Sequence, residues 1–317
     1  MTLRVAVLDD YQGVALEYGP WDELGSDLEI AIFRDHVDEI DELAERLAPF
    51  DVVVAMRERT TFPRTLLERL PRLRLLVSTG MGTPHIDTDA TRELGITVSG
   101  TGGRAEPAAE LTWALILALA RHVAVEDAAV RRGDWQQTIG TDLAGATLGV
   151  IGLGRLGRQV ASVGQAFGMS VIAWSQNLDP DEAHALGVEP VDKQFLLRTA
   201  DIVTIHLRLS DRTRGLIGAD DLALLKPTAL LVNTSRGPIV DEQALVEVLR
   251  DRRIGGAGLD VFDVEPLPAD HPLRSMPRTV LTPHIGYVTH ETYRVFYADA
   301  VEAIAAFRAG NPIRVLT

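Results

Sequence analysis

The sequence contains no cysteine, which excludes disulfide cross-links, thiolate metal sites and a cysteine nucleophile. A reducing compartment suits such a chain, so the cytoplasm is the expected location, and no metal is expected. Positive charge is scarce: Lys and Arg total 31 against 45 for Asp and Glu, a formal net charge of −14. A field of that sign repels phosphate backbones and anionic lipid surfaces, which argues against nucleic acid or a membrane as partner. Any anionic substrate must be caught by locally placed cations. Long apolar runs are also missing. The longest, residues 111–120, falls far short of the roughly 20 residues that span a bilayer. The start, Met1-Thr2-Leu3-Arg4-Val5-Ala6-Val7-Leu8, lacks the apolar stretch and cleavage site of a secretory signal and reads as a first strand. There is no low-complexity segment and no short-period repeat.

What is present is the balance of an ordinary globular protein, with 46% hydrophobic and 24% charged residues over 317 positions. That length exceeds the usual single domain and predicts two cores. Short β-branched runs alternate with amphipathic stretches at residues 4–8, 28–33, 51–56, 73–79 and 96–99, the pattern of a parallel sheet flanked by helices. Residues 106–132 are rich in Ala and Leu with no Gly or Pro after Pro107, and predict one long connecting helix. A second alternating series runs through residues 147–151, 170–174, 201–207, 230–233, 256–259 and 279–281. Residues 289–309 predict a C-terminal helix that returns to the first domain. The expected fold class is therefore α/β: two Rossmann-like or flavodoxin-like domains with parallel sheets, joined by long helices. The expected division is residues 1–100 plus 288–317, a substrate-binding domain, against residues 101–287, a dinucleotide-binding domain.

The segment Ile151-Gly152-Leu153-Gly154-Arg155-Leu156-Gly157 sets G-x-G-x-x-G directly behind an apolar strand and ahead of a helix-compatible run ending near Phe167. Glycines in an isolated match often do no more than end a strand. Here the flanking strand and helix make a dinucleotide loop the stronger reading. Gly152 permits the tight turn, Gly154 lets the backbone approach a pyrophosphate, and Gly157 lets the helix pack closely, with the diphosphate at the helix N-terminus. After the next strand, Trp174-Ser175-Gln176-Asn177 offers no Asp or Glu for the ribose hydroxyls. Ser175 and its neighbours would not repel a 2′-phosphate, and Arg155 is available to supply charge. NAD and NADP both stay open.

Three polar residues fall in three strand-to-loop junctions of the second series. Arg236 lies in Asn233-Thr234-Ser235-Arg236-Gly237-Pro238, Glu265 precedes Pro266, and His284 lies in Thr282-Pro283-His284-Ile285-Gly286. Any one alone reads most simply as a solvated loop residue. Together, beyond the carboxyl ends of strands in a sheet that carries a dinucleotide loop, they face the ligand crevice.

These loops, with Gly80-Met81-Gly82 followed by Ile86-Asp87 and with Trp135 ahead of the second domain, resemble the D-isomer-specific 2-hydroxyacid dehydrogenase family. The family includes glyoxylate/hydroxypyruvate reductases and phosphoglycerate dehydrogenases. The motifs occur in family order over nearly the whole chain. The resemblance implies hydride transfer between NAD or NADP and C2 of a small 2-oxo or 2-hydroxy acid. His284 would be the general acid/base, Glu265 its hydrogen-bonding partner, and Arg236 the residue that binds the carboxylate. It also implies cofactor contacts from Gly152, Gly154, Arg155, Leu156, Gly157, Ser175, His206, Leu207, Asn233, Thr234, Asp260 and Gly286. Substrate contacts are implied at Thr79, Gly80 and Met81, and a homodimer through the long helix and the Trp135 region. For Asp260, a purely structural role in tying its loop is an equal alternative. Elementary chemistry agrees with the catalytic roles. Hydride addition to a 2-oxo group builds negative charge on oxygen, which an imidazolium neutralises by proton donation and a planar guanidinium stabilises.

Some positions depart from the family pattern. Arg208 replaces a common proline, the acid after Trp174 is missing, and Tyr287 follows Gly286 where a small residue is frequent and would narrow the pocket. Arg57 and Arg59 read either as recognition of a second anionic group or as solvated charges. The regulatory domain of some phosphoglycerate dehydrogenases is not expected. Glu265 argues against formate dehydrogenases, which pair their histidine with glutamine. The family also resembles transcriptional corepressors, so a dinucleotide-sensing, corepressor-like binding protein with little turnover is the alternative.

Overall fold

The computed structural model describes residues 2–316. The chain divides into two compact units, Met1–Arg104 with Val288–Thr317, and Ala105–Tyr287. The first boundary falls a few residues beyond position 100. Thr101 and Gly102 are held in the first unit, Thr101 Oγ1 accepting from Gly80 N at 2.7 Å and Gly102 N donating to Asp299 Oδ2 at 2.7 Å.

In the first unit, chain order runs β1 (Leu3–Val7), α1 (Ala15–Tyr18), β2 (Leu28–Ile32), α2 (Ile40–Leu47), β3 (Val52–Ala55), α3 (Arg64–Leu67), β4 (Leu75–Ser78), α4 (Thr88–Glu93) and β5 (Thr97–Gly100). The strands pair in parallel in the order β2-β1-β3-β4-β5, the flavodoxin-like arrangement. Central strands β3 and β4 read Val-Val-Val-Ala and Leu-Leu-Val-Ser and are buried throughout, as a sheet covered on both faces requires. Helix α2 turns Leu43, Ala44 and Leu47 inward and carries Asp41 and Glu42 in its first turn and Arg46 in its last, matching the helix dipole.

The second unit runs α5 (Glu106–Ala120), α6 (Val123–Arg132), β6 (Thr147–Ile151), α7 (Arg155–Ala166), β7 (Ser170–Trp174), α8 (Pro180–Ala185), β8 (Glu189–Pro190), α9 (Lys193–Thr199), β9 (Ile202–Ile205), α10 (Ala219–Leu222), β10 (Leu230–Asn233), α11 (Glu242–Arg250), β11 (Gly256–Leu259) and β12 (Thr279–Leu281). Its strands pair in parallel as β12-β11-β10-β9-β6-β7-β8. The order reverses at β6, where the Rossmann fold places its ligand crevice. The last helix, α12 (His290–Arg308), belongs to the first unit. Tyr293 packs edge-on against Tyr18 of α1, and Arg308 pairs with Asp27 at 2.8 Å.

The two-residue strand β8 has no counterpart among the expected strands, and one expectation is corrected. The helix expected over residues 106–132 is two helices bent by 64°. The Ala120 carbonyl accepts from Thr141 N at 2.8 Å instead of continuing the helix, and His122 adopts a left-handed φ of 51°. The sequence His122-Val123-Ala124-Val125 resists the break weakly, because β-branched residues lose rotamer freedom in a helix. Among the described residues no single helix is long and apolar enough to cross a membrane.

Asp201 joins several elements of the second sheet. Its Oδ2 accepts from Thr147 N at 2.8 Å and its Oδ1 from Lys226 Nζ at 2.7 Å. Burial pushes this carboxyl up, but Lys226 and the Thr147 amide outweigh burial and hold it below the ordinary value. We expect Asp201→Ala to cost about 1 kcal/mol, read as a lower urea midpoint at unchanged slope. Because the folded-state value is depressed, this stabilisation is present above the ordinary carboxylate range and fades on acidification through it. Wild type and variant should therefore converge in acid; a constant difference across pH would refute the assignment.

Candidate active site

The glycine loop is built by close approach. Gly152 has a φ of +97°, and a Cβ there would lie 2.6 Å from the His206 carbonyl oxygen. A Cβ on Gly157 would lie 2.0 Å from the Gly152 carbonyl oxygen. Gly154, by contrast, faces open space, with nothing within 4 Å of an added Cβ. Helix α7 starts immediately behind it at Arg155, with no side-chain cap on its first amides. A loop that is tight behind and open in front, on an uncapped helix N-terminus, fits the diphosphate of a dinucleotide. Leu156 lies in the first turn, and Ser175 is half-buried just past β7.

His206 and Leu207 follow β9 and cover this loop; a Cβ on Gly152 would also meet Leu207 Cδ2 at 2.8 Å. His206 Nε2 lies 2.9 Å from Thr204 Oγ1, and burial pushes its imidazole down to about 4, so it is neutral near pH 7.

Arg236, Glu265 and His284 follow β10, β11 and β12, three adjacent strands. Asn233, buried at the end of β10, folds the first of these loops: its Oδ1 accepts from Ser235 N at 3.0 Å and its Nδ2 donates to the Arg236 carbonyl at 2.9 Å. Ser235 Oγ donates to the Ile205 carbonyl at 2.8 Å, and Thr234 Oγ1 lies 2.7 Å from Thr112 Oγ1 on α5. Gly237 packs so tightly on the next loop that an added Cβ would lie 2.1 Å from the Phe262 carbonyl carbon.

Glu265 uses both carboxylate oxygens: Oε1 accepts from Phe262 N at 2.9 Å, and Oε2 lies 2.6 Å from His284 Nδ1. The side chains of His284 and Glu265 are 16% and 28% exposed, close enough to solvent to meet a ligand. With Nδ1 engaged by the carboxylate, Nε2 is the nitrogen left to exchange a proton. The His284 backbone has a left-handed φ of 53°. Asp260 holds that loop in place, accepting from Ile285 N and Gly286 N at 2.8 Å each and from Thr282 Oγ1 at 2.6 Å. Burial pushes the Asp260 carboxyl up against the opposing pull of these donors and of His284. The loop-tying role is thus visible in full.

In the first unit, Thr79, Gly80 and Met81 follow β4. Thr79 is buried and its Oγ1 accepts from Arg57 N at 2.8 Å; Gly80 has a φ of +99°, and Met81 is exposed. Arg57 brings a guanidinium nitrogen within 3.2 Å of where a Gly80 Cβ would stand. Arg59 donates to the Asp9 carbonyl at 2.9 Å and lies over the Tyr11 ring at 4.7 Å, so it is built into its own loop.

One side chain at the second-unit site, Thr112, is not among the residues that the sequence pattern singles out. Thr112 reaches Thr234 from α5; its only sequence signal is a hydroxyl inside an otherwise apolar run. Tyr287 stands edge-on to His284, with ring centroids 5.8 Å apart at 77°; it was noted for its size alone. Among the described residues no group of three or more His, Asp or Glu side chains is placed to hold a metal ion.

The chain is similar to known proteins over most of its length. Residues 113–286 match the family described as D-isomer specific 2-hydroxyacid dehydrogenase, NAD binding domain. A glyoxylate reductase of Aeropyrum pernix is 44% identical over 256 residues, 78% of this chain and 76% of that protein. A D-3-phosphoglycerate dehydrogenase of Methanocaldococcus jannaschii is 39% identical over 275 residues, 86% of this chain but only 52% of that protein. Among solved structures, the phosphoglycerate oxidoreductase of Vibrio cholerae superposes with a TM-score of 0.92 at 36% identity, covering 98% of this chain and 100% of that one. The fold and dinucleotide loop are those of an NAD(P)-dependent oxidoreductase acting on CH-OH groups. The chain belongs to the D-isomer-specific 2-hydroxyacid dehydrogenase family.

The open space at Gly154 separates folding from binding. Its φ of −76° suits alanine, so Gly154→Ala should melt like wild type yet bind NADH or NADPH more weakly by about 1–3 kcal/mol, because the methyl intrudes on the diphosphate. Fluorescence titration of the nicotinamide checks this; unchanged affinity would place the diphosphate elsewhere.

Proposed function

We propose that the protein transfers a hydride between NAD(P)H and C2 of a small 2-oxo acid, forming a D-2-hydroxy acid. His284 acts as acid/base, Glu265 as its partner, and Arg236 as carboxylate ligand. The observation that carries this reading is the 2.6 Å pairing of His284 Nδ1 with Glu265 in loops beside the Arg236 loop. When bound, the nicotinamide supplies or accepts the hydride. Protonated at Nε2, His284 gives its proton to the substrate oxygen; neutral, it takes that proton back in oxidation. Glu265 keeps Nδ1 protonated and stabilises the imidazolium. Arg236 forks onto the substrate carboxylate and steadies charge on the neighbouring oxygen, overcoming the repulsive net charge of −14.

Substrate contacts come from Arg236 and from Thr79, Gly80 and Met81. Cofactor contacts come from Gly152, Gly154, Arg155, Leu156 and Gly157, from Ser175, His206 and Leu207, and from Asn233, Thr234, Asp260 and Gly286. Neutral Ser175 beyond β7 keeps NADP as acceptable as NAD. The protein works in the cytoplasm as a homodimer: Trp135 and Ile139, beyond α6, are 74% and 93% exposed, an apolar surface suited to a second copy. The corepressor-like alternative draws no support from the relatives above, which are named as enzymes.

Oxidation of NADH and NADPH against glyoxylate, hydroxypyruvate, pyruvate and phenylpyruvate tests the reading. His284→Ala should lower kcat/KM by about 10²–10⁴-fold. Arg236→Ala should raise KM and lower kcat together, because its bonds serve both ground and transition states; unaltered kinetics there would remove the carboxylate role.

A further inference from the structure

Two restraints on the His284 ring are in hand, and they are incomplete. Asp260 fixes the backbone through the amides of Ile285 and Gly286, and Glu265 fixes Nδ1. The hydrogen bond fixes where Nδ1 lies but does not by itself hold the ring plane against small coupled rotations about the two side-chain torsions. Such rotations sweep Nε2 through an arc, and a proton donor displaced by about 1 Å from its acceptor can lose about 10²-fold in rate.

A further restraint comes from a neighbouring ring. Tyr287 lies three residues beyond His284, its ring 5.8 Å from the imidazole in an edge-to-face contact at 77°, the preferred geometry for unlike ring edges and faces. The residue is only 7% exposed, so the ring is held by its surroundings and gives way little. It grows from the same loop that Asp260 clamps, which places ring and imidazole in a common frame.

We propose that Tyr287 is a positioning residue that sets the plane of the His284 imidazole, Glu265 fixing where Nδ1 lies. The inference rests on His284 being the acid/base. The flat ring is the working part, so phenylalanine serves in its place, whereas leucine is apolar but lacks a flat face.

The test compares Tyr287→Phe and Tyr287→Leu with wild type and His284→Ala by steady-state kinetics with glyoxylate, by thermal melting, and by long-range ¹H–¹⁵N correlation of the histidine rings. Absence of signals in His284→Ala assigns the ring among the eight histidines. Tyr287→Leu should lower kcat by about 10–100-fold with KM held within about twofold, and should shift or broaden the His284 ring signals in a protein that stays folded, its melting temperature lowered by the loss of buried volume. Tyr287→Phe should restore both readouts. Wild-type kcat and ring signals in Tyr287→Leu would overturn the proposal, as would equal losses in both variants, or a raised KM at full kcat, the mark of a pocket wall. If wild type reduces no 2-oxo acid, the dehydrogenase reading fails, and the ring signals alone still decide whether Tyr287 fixes the imidazole.

Discussion

The second-unit site depends on the buried carboxylate of Asp260. A left-handed backbone at a residue other than glycine costs roughly 1–2 kcal/mol, and His284 adopts one. Left alone, the loop would relax and carry the imidazole away from Glu265. Asp260 prevents this by engaging two consecutive amides and the Thr282 hydroxyl. Its burial makes those bonds stronger and their loss more expensive, since an unpaired donor or acceptor away from water is itself penalised. The strained residue is thus over-determined by its neighbours, as functional strain requires.

Around that anchor the loops support one another in sequence. Asn233 folds the Arg236 loop, Gly237 seats it on the Phe262 backbone, Phe262 N binds Glu265, and Glu265 binds His284. Three neighbouring strands deliver these loops to the same edge of the sheet. The parallel topology matters here: only in a parallel sheet do successive strands present their carboxyl ends together.

Much of this was legible in the sequence because it follows from sterics. Gly152 and Gly157 are demanded by contacts that no Cβ tolerates, so that part of the pattern carries its own reason. Strands such as Leu230–Asn233 and Gly256–Leu259 stood out as short apolar runs between turn residues. Arg236, Glu265 and His284 were visible as polar residues just past such runs. What escaped depends on distant partners. The break after Ala120 is set by the Thr141 amide, which no local propensity reports. Asp260 reads equally as ligand contact or loop tie until its acceptor geometry is seen. The contact of Tyr287 with the imidazole is a matter of ring orientation, which residue spacing does not encode.

The seat of Gly237 on the Phe262 backbone also bears on how such a site can change over time. Because no side chain fits between them, any residue other than glycine at position 237 would push the two segments apart. The guanidinium loop and the carboxylate loop are therefore spatially coupled, and a change at Gly237 would be felt at Glu265 through Phe262.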